Sequence, residues 1–469
     1  MKTRYKVLIV LAAVVGLLGA AAMVTLVILS QDEPPPDDTD LLVQREAIPN
    51  EKNAYWYFAK IGSVLDLPQE TAEVVDKEVT GDEELAGSAL MDAILEGKAW
   101  DAAFIEDLWQ RKQEAVRLLE QGLSCSTGQA PSMRFGWGIP EVCDWLWVAR
   151  LLNLHAILLL KQGREGEAFD EAMRVVQFGH AIEGARGALV HYLVGKVLKQ
   201  EGIGRMRIML SEAALEPDVL TSYSRRLGEY GANEPGGADA LRVEYTTMAD
   251  LLEVLKAGKM SLEGVHMGYM IEETGDGPRP SLPERVGFLW HFRLNRTKRM
   301  FAERFRALIG DIPTPYAQIE RLTRPGNLPH PLHPLLPSNT AGELVFLSLM
   351  PVLDSFLLAK CEENVDVGAT RVLLAIKAFK VKKGRLPQTL DELVPEYLDA
   401  VPLDDFDGKP LRYSAEKKVI YSVGKDLKDG GGMTKEEQKA WWKEGHPGCE
   451  EDVEPEIWQM PDPSFPIEF

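Results

Sequence analysis

Residues 143–162 read CDWLWVARLLNLHAILLLKQ. The run is too long for a strand, shows no alternation, and stops at Gly163, a residue suited to the left-handed turn that ends a helix. A second segment with helical spacing follows, from Glu165 to about Glu183. The spacing predicts two helices joined by a short turn. Ala156, Gly163, Ala168 and Ala172 fall where small residues let two helices approach closely.

The same character extends in both directions. From about 51 to 383 few segments alternate like strands, and the long ones carry helical spacing. Ala103–Leu123 sets Ile105, Leu108, Ala115, Leu118 and Leu119 at intervals of 3, 4 and 7, which predicts one helix. Residues 184–260 read as helices broken near Gly202, at Glu216-Pro217 and at Glu234–Gly237. Residues 272–283 (EETGDGPRPSLP) and 325–338 (PGNLPHPLHPLLPS) are turn-rich and proline-rich connectors. His330 and His333 in the second have no third ligand nearby in sequence and are read as connector residues. Leu344–Ala359 holds Pro351 and Asp354 and is only 16 residues long, so it reads as a buried helix rather than a membrane span. The 143–183 hairpin is similar to one tetratricopeptide-type repeat over about 34 residues, without the usual Trp and Pro positions and without a second copy. An ordinary helical hairpin fits the residues equally well. Such a repeat implies a binding surface rather than chemistry.

Upstream, Val7–Leu29 reads VLIVLAAVVGLLGAAAMVTLVIL, 23 residues without a charge. At about 1.5 Å per residue it spans a hydrocarbon core of about 30 Å with some tilt. Lys2, Arg4 and Lys6 precede it, and Asp32, Glu33, Asp37, Asp38 and Asp40 follow with no base before Arg45. That asymmetry predicts a cytoplasmic N-terminus and an exported remainder: a single-pass protein of the bacterial inner membrane, its bulk periplasmic or otherwise extracytoplasmic. The competing reading is a cleaved signal peptide with Ala20–Ala22 at the cleavage site. Against it, the apolar run continues from Met23 to Leu29. Residues 30–50, with PPP at 34–36 and clustered acids, read as a solvated polyproline-type linker.

The chain has 469 residues, 45% hydrophobic, and a net charge of −20. This is enough for a sizeable core, and the acidity argues against nucleic acid as a partner. The four cysteines, Cys125, Cys143, Cys361 and Cys449, form no CxxC. Cys125 and Cys143 bracket a Gly/Pro-rich loop; a bridge between them and two free thiols are both open readings. Arg285–Ile309 is the one basic stretch, with seven bases against Glu284 and Glu303. Leu294, Phe301, Phe305 and Leu308 form its core-facing stripe. Its bases are read either as a lipid-headgroup or anion site, or as a solvated face paired with surrounding acids.

From Ala369 the sequence changes. Thr370–Lys382 reads as a helix stopped by Gly384, and Thr389–Glu392 as a capping box for a short helix ending near Tyr397. Leu411–Ser414 and Lys418–Val423 are short alternating strands around a turn at 415–417, and Ile457-Trp458 reads as an added edge strand with Trp441 and Trp442 packed on the unit. The residues AIKAFKVKKGRLPQTLDELVPEYL (375–398), VPLDDFDGKPLRY (401–413) and IYSVGKDLKDGGG (420–432) together resemble the C-terminal part of the type II secretion major pseudopilin over about 65 residues. The whole chain resembles bacterial proteins of unknown role that carry this module behind a long helical region and an N-terminal anchor. The resemblance implies a calcium ion in the C-terminal loop, with Asp426 and Asp429 at matching acidic positions and Asp404 and Asp407 approaching from the DDFDG turn. Lys425 and Leu427 stand where Pro and Gly are usual. The anchor lacks the prepilin-peptidase pattern and over 300 residues intervene, so the resemblance covers the module and not its assembly into a filament.

The expected fold is therefore mainly α. Residues 1–29 are tip and anchor, 30–50 linker, 51–366 a region of helical hairpins, 367–433 a small α+β pseudopilin-like module, and 434–469 an acidic tail. No GxSxG, HExxH, Walker loop or GxGxxG occurs. His155 and His191 sit in apolar helical stretches and read as core histidines. Glu183 between His180 and His191 is the nearest approach to a polar cluster. No residue is put forward as catalytic. Two functions stand: a membrane-anchored scaffold with a protein partner, tied to secretion or the cell envelope, and an exported hydrolase whose site is assembled from distant residues. A deep pocket of perturbed acids and bases would favour the second, and a shallow groove on helices the first.

Overall fold

The computed structural model describes residues 31–65, 82–133, 141–260, 281–319, 338–445 and 456–469, with a few positions between 17 and 25. It is 66% helical with one small sheet, which makes the fold class mainly α. The helices are α1 (Ala54–Phe58), α2 (Gly62–Leu65), α3 (Asp82–Leu95), α4 (Ala102–Arg111), α5 (Gln113–Leu123), α6 (Val142–Lys161), α7 (Glu165–Glu183), α8 (Leu189–Glu212), α9 (Pro217–Leu227), α10 (Glu234–Lys256), α11 (Leu282–Trp290), α12 (Leu294–Asp311), α13 (Thr340–Lys383) and α14 (Lys435–Gly445).

The α6–α7 hairpin forms where the apolar run predicts it. Gly163 ends α6 at φ +75°, and Ala156, Ala168 and Ala172 are wholly buried between the helices. The predicted break near Gly202 is absent, and α8 runs straight through it. Gly202 is there for contact: a Cβ on it would lie 2.6 Å from the Ala172 carbonyl oxygen. Gly195 and Gly179 face each other in the same way, each Cβ position within 2.6 Å of the other's carbonyl oxygen. A glycine seam thus brings α7 and α8 backbone to backbone, and the helix propensity lost at these positions is offset by packing.

The Ala103–Leu123 helix is two helices, parted at Lys112, whose backbone (φ −104°, ψ 16°) leaves helical geometry and whose ammonium reaches the Leu65 carbonyl. The predicted breaks at Glu216-Pro217 and Glu234–Gly237 are helix starts, with Pro217 in the first turn of α9 and the Asn233 side chain capping α10 through Gly236 N. The connectors at 272–283 and 325–338, including His330 and His333, fall almost wholly outside the described residues.

Residues 31–50 lie along the helical body instead of standing free in solvent. Asp32 accepts from Asn295 N (2.9 Å) and Arg296 N (3.3 Å) at the start of α12, Tyr245 donates to Asp38 (2.6 Å), and Leu41 is buried. The acids expected to keep this stretch solvated are used by the basic helix. Arg306 pairs with Asp40 (2.6 Å) and Arg299 with Glu33 (3.2 Å), while Lys298 pairs with Glu253 of α10 (2.7 Å). The stripe Leu294, Phe301, Phe305 and Leu308 is buried as predicted.

The predicted boundary at 366–367 falls inside α13, one helix of 44 residues. Gly384 ends it at φ +71°. One core includes Phe169 of α7, Met206 of α8, Leu373 and Ile376 of α13, and Leu390, Phe406, Ile420 and Phe465 of the C-terminal unit. That unit contains β1 (Arg412–Ser414), β2 (Val419–Tyr421) and β3 (Ser464–Pro466), antiparallel in the order β1-β2-β3, with Tyr413 opposite Ile420 and Ile420 opposite Phe465. The third strand is 464–466. Ile457-Trp458 forms a 3₁₀ turn instead of an edge strand. The capping box at Thr389 is also replaced: Leu390–Leu393 is a single 3₁₀ turn, the Thr389 side chain caps nothing, and Glu392 accepts from Gln388 N and Arg385. Trp442 is buried.

Among the described residues two helices, α6 and α13, are long and apolar enough to cross a membrane by length and composition. The apolar window of each is half buried in the body, 56% and 50%. Most of Val7–Leu29 lies outside the described residues; Leu17, Met23 and Val24 are helical and exposed.

Candidate functional site

A cleft of about 400 Å³ opens between α4, α5 and α7, lined by Trp109, Gln113, Glu114, Val116, Arg117, Glu120, Glu171 and Arg174. The heptad-like spacing of α5 buries Ala115, Val116, Leu118 and Leu119 and turns Gln113, Glu114, Arg117 and Glu120 outward. At the base, Glu171 joins two partners: its carboxylate takes His155 Nδ1 at 3.0 Å and Arg174 Nη1 at 2.9 Å. Arg174 also reaches Glu120 at 3.5 Å. Trp109 stacks on the His155 ring, centroids 3.6 Å apart and planes 13° from parallel. His155 is thus held on one edge by a carboxylate and covered on one face by an indole. The described lining contains no hydroxyl, thiol or amine to act as a nucleophile. Its charges alternate in sign, which suits recognition of a polar, extended ligand.

A second group of perturbed side chains lies elsewhere, centred on Lys199 inside the helical body. Lys199 is wholly buried and donates to Glu183 (2.6 Å) and Gly231 O (3.0 Å); it also contacts Glu363 of α13. Burial, and next the Glu363 charge, push Glu183 well above the usual carboxylate range. The paired carboxylates raise Lys199 despite its desolvation. His180, beside this group, is brought down to about 4 by burial and then by the Lys199 charge. Tyr192 donates to Glu363 at 3.5 Å. These contacts tie α7, α8 and α13 together.

His191 does not join that cluster. Its Nδ1 accepts from Ala188 N (3.0 Å) and its Nε2 lies 3.0 Å from the Tyr55 hydroxyl. With Nδ1 accepting, Nε2 carries the proton and donates. Burial holds its pKa near 4. His155 and His191 are both partnered side chains of the helical body, as the sequence predicts. Glu183 and His180 do meet, but around Lys199 and Glu363, which the sequence reading passed over. The available signal was a charge pair set into each of two apolar helices: Lys196 with Lys199, and Glu362 with Glu363.

Of the four acids proposed for calcium, three converge on one cation of the chain itself. Arg412 Nη1 reaches Asp404 (3.1 Å), Nη2 reaches Asp407 (2.6 Å) and Nε reaches Asp429 (3.0 Å). Asp404 is completely buried and also accepts from Phe406 N, Ser422 Oγ and Val423 N, yet burial still raises its pKa. The guanidinium lowers Asp407. Asp426 is exposed and accepts from Lys428 N, apart from the other three. The glycine-rich loop is held by Asp462, which accepts from Gly430 N and Gly432 N. Among the described residues no group of three or more His, Cys, Asp and Glu is arranged to hold a metal ion. Cys125 and Cys143 are free thiols; Cys125 donates to Gln121 O.

No family model, curated protein or solved structure matches this chain.

Proposed function

We propose that the chain is a membrane-anchored, extracytoplasmic binding protein of the bacterial envelope. Residues 7–29 hold it in the inner membrane with the N-terminus in the cytoplasm, and the helical body offers the Trp109–Arg174 cleft to a protein partner. The pseudopilin-like unit at 367–433 serves as a folded cap on that body, a reading supported by its order of helix end, 3₁₀ turn, acidic loop and β-hairpin. The observation that carries the proposal is the separation of chemistry from access. The open cleft carries paired surface charges and an aromatic platform, whereas Glu183 and His191, whose pKa values burial displaces, are closed inside the body. A hydrolase needs the two together.

The test is site-specific photocrosslinking in cells from Gln113, on the cleft, and from Ser211, exposed elsewhere. The proposal expects a discrete adduct from Gln113 that is lost with Arg174→Glu and absent from Ser211. Turnover of ester, amide or phosphoester substrates by the purified full chain, abolished by His155→Ala, would replace it with the hydrolase reading. A reporter active only in the cytoplasm, fused after residue 50, should be silent; strong activity there refutes the orientation.

A further inference from the structure

Helix α11 (Leu282–Trp290) is apolar on the side that faces away from the body. Leu282, Val286 and Leu289 are 76%, 58% and 37% exposed, and their spacing of 4 and 3 places them within about 60° of one another on the helix. The opposite side supplies the packing: Phe288 lies against the α10–α12 core and stacks on Phe292 at 4.6 Å. The body therefore carries a short helix whose outer stripe is as apolar as its inner one. Such a stripe marks a contact surface.

Its position says what covers it. The chain leaves the apolar stretch 7–29 at Leu29, and Asp32, three residues on, is fixed to the first turn of α12 through Asn295 N and Arg296 N. Asn295 Nδ2 also donates to Glu33 O at 2.6 Å. Three residues of extended chain reach at most about 11 Å. The end of the apolar stretch is therefore tethered within that reach of Asp32, itself bonded to the start of α12, whose first residue follows the last of α11 by four positions. Bases cluster at the same place in an otherwise acidic protein. Arg285 is exposed on α11 itself. Arg296 and Arg299 are 53% and 45% exposed, in surface pairs with Glu343 (3.9 Å) and Glu33 (3.2 Å). Exposed pairs of this kind exchange readily for another anion.

We propose that α11 is an interfacial helix: Leu282, Val286 and Leu289 enter the headgroup–acyl boundary of an anionic phospholipid bilayer, and Arg285, Arg296 and Arg299 meet its phosphates. The body then lies against the membrane on its α11–α12 side. This rests on the anchor reading of residues 7–29. The apolar face and the arginines act together, the combination that lets a short amphipathic segment hold to an anionic surface.

The test uses the full chain reconstituted in vesicles of phosphatidylglycerol and phosphatidylethanolamine that contain a phospholipid with a diazirine on its acyl chain. After illumination, modified peptides are mapped by mass spectrometry. Modification of both 7–29 and 282–290, with the second reduced about tenfold by Val286→Glu while the first persists, is the expected result. Modification of 7–29 without 282–290 overturns the interfacial helix and leaves the anchor standing. Modification of neither overturns the anchor and this inference with it. Crosslinks between two copies of 282–290 in place of lipid adducts would assign the face to self-association and overturn the proposal.

Discussion

Single side chains in this protein are held by burial against their ordinary chemistry, and His191 shows the effect most simply. Its folded pKa near 4 lies below the ordinary 6.5. A lowered value means that the unfolded chain takes up the proton first, so stability present at pH 7.5 is lost as pH falls through 6.5 toward 4. The shift corresponds to about 3 kcal/mol at full effect. Glu183 works in the opposite direction, since its raised pKa lets the folded state keep a proton that the unfolded chain releases above its ordinary 4.5. The His191 contribution is therefore read as a difference: between pH 7.5 and pH 4, His191→Gln should lose less melting temperature than the parent chain. Equal losses would show that the buried imidazole does not set the acid limb. Arg412 offers a second residue-level test. Arg412→Gln leaves Asp404, Asp407 and Asp429 converging without a counter-charge, so millimolar calcium should raise its melting temperature more than it raises the parent's. A shift that survives Asp429→Ala places the ion elsewhere.

At the level of elements, the glycine seam between α7 and α8 inverts the usual effect of glycine in a helix. Replacing an interior helix glycine by alanine normally stabilises by about 0.5–1 kcal/mol. Gly204 has open space around its Cβ position, so Gly204→Ala should follow that rule. Two residues earlier, Gly202→Ala pushes a methyl to 2.6 Å from the Ala172 carbonyl and should lower stability by roughly 1–3 kcal/mol, as overpacking does. Thermal melts of the two variants should move in opposite directions; movement in the same direction would remove close approach as the reason for Gly202. The predicted break at Gly202 rested on intrinsic propensity, which tertiary contact overrides here. Lys112 shows the reverse case: the apolar spacing of 103–123 continues smoothly, and the parting of α4 from α5 is visible only once α2 is in place beside Lys112.

Across the whole molecule, α13 makes one body of what reads as two. Its first half packs Val345, Met350 and Phe356 into the α10–α12 core, and its second half packs Val372, Leu373 and Ile376 into the core that α7 and α8 share with the C-terminal unit. Removing 367–469 strips Leu373, Ile376, Phe406, Ile420 and Phe465 from that core. Each buried large apolar side chain contributes roughly 1.5–3 kcal/mol, a total comparable with the full stability of a typical domain. A chain ending at 366 should therefore lose its cooperative melt and become sensitive to protease throughout the helical body. A sharp melt near that of the full chain would restore the boundary at 366–367.

Periodicity and chain punctuation are local, and what depends on them was readable from residue order: the α6–α7 hairpin and its end at Gly163, the core stripe of α12, the stop at Gly384 and the β1–β2 hairpin. A 3.6-residue repeat or a left-handed glycine needs only its neighbours. The cleft depended on bringing Trp109, His155 and Arg174 together from three helices. The Lys199 cluster depended on α7 and α8 meeting a helix more than 150 residues away. The docking of residues 31–50 depended on α12 offering free backbone N–H groups and arginines at the right place. Desolvation and charge pairing act through space, so these features took shape only in the tertiary structure.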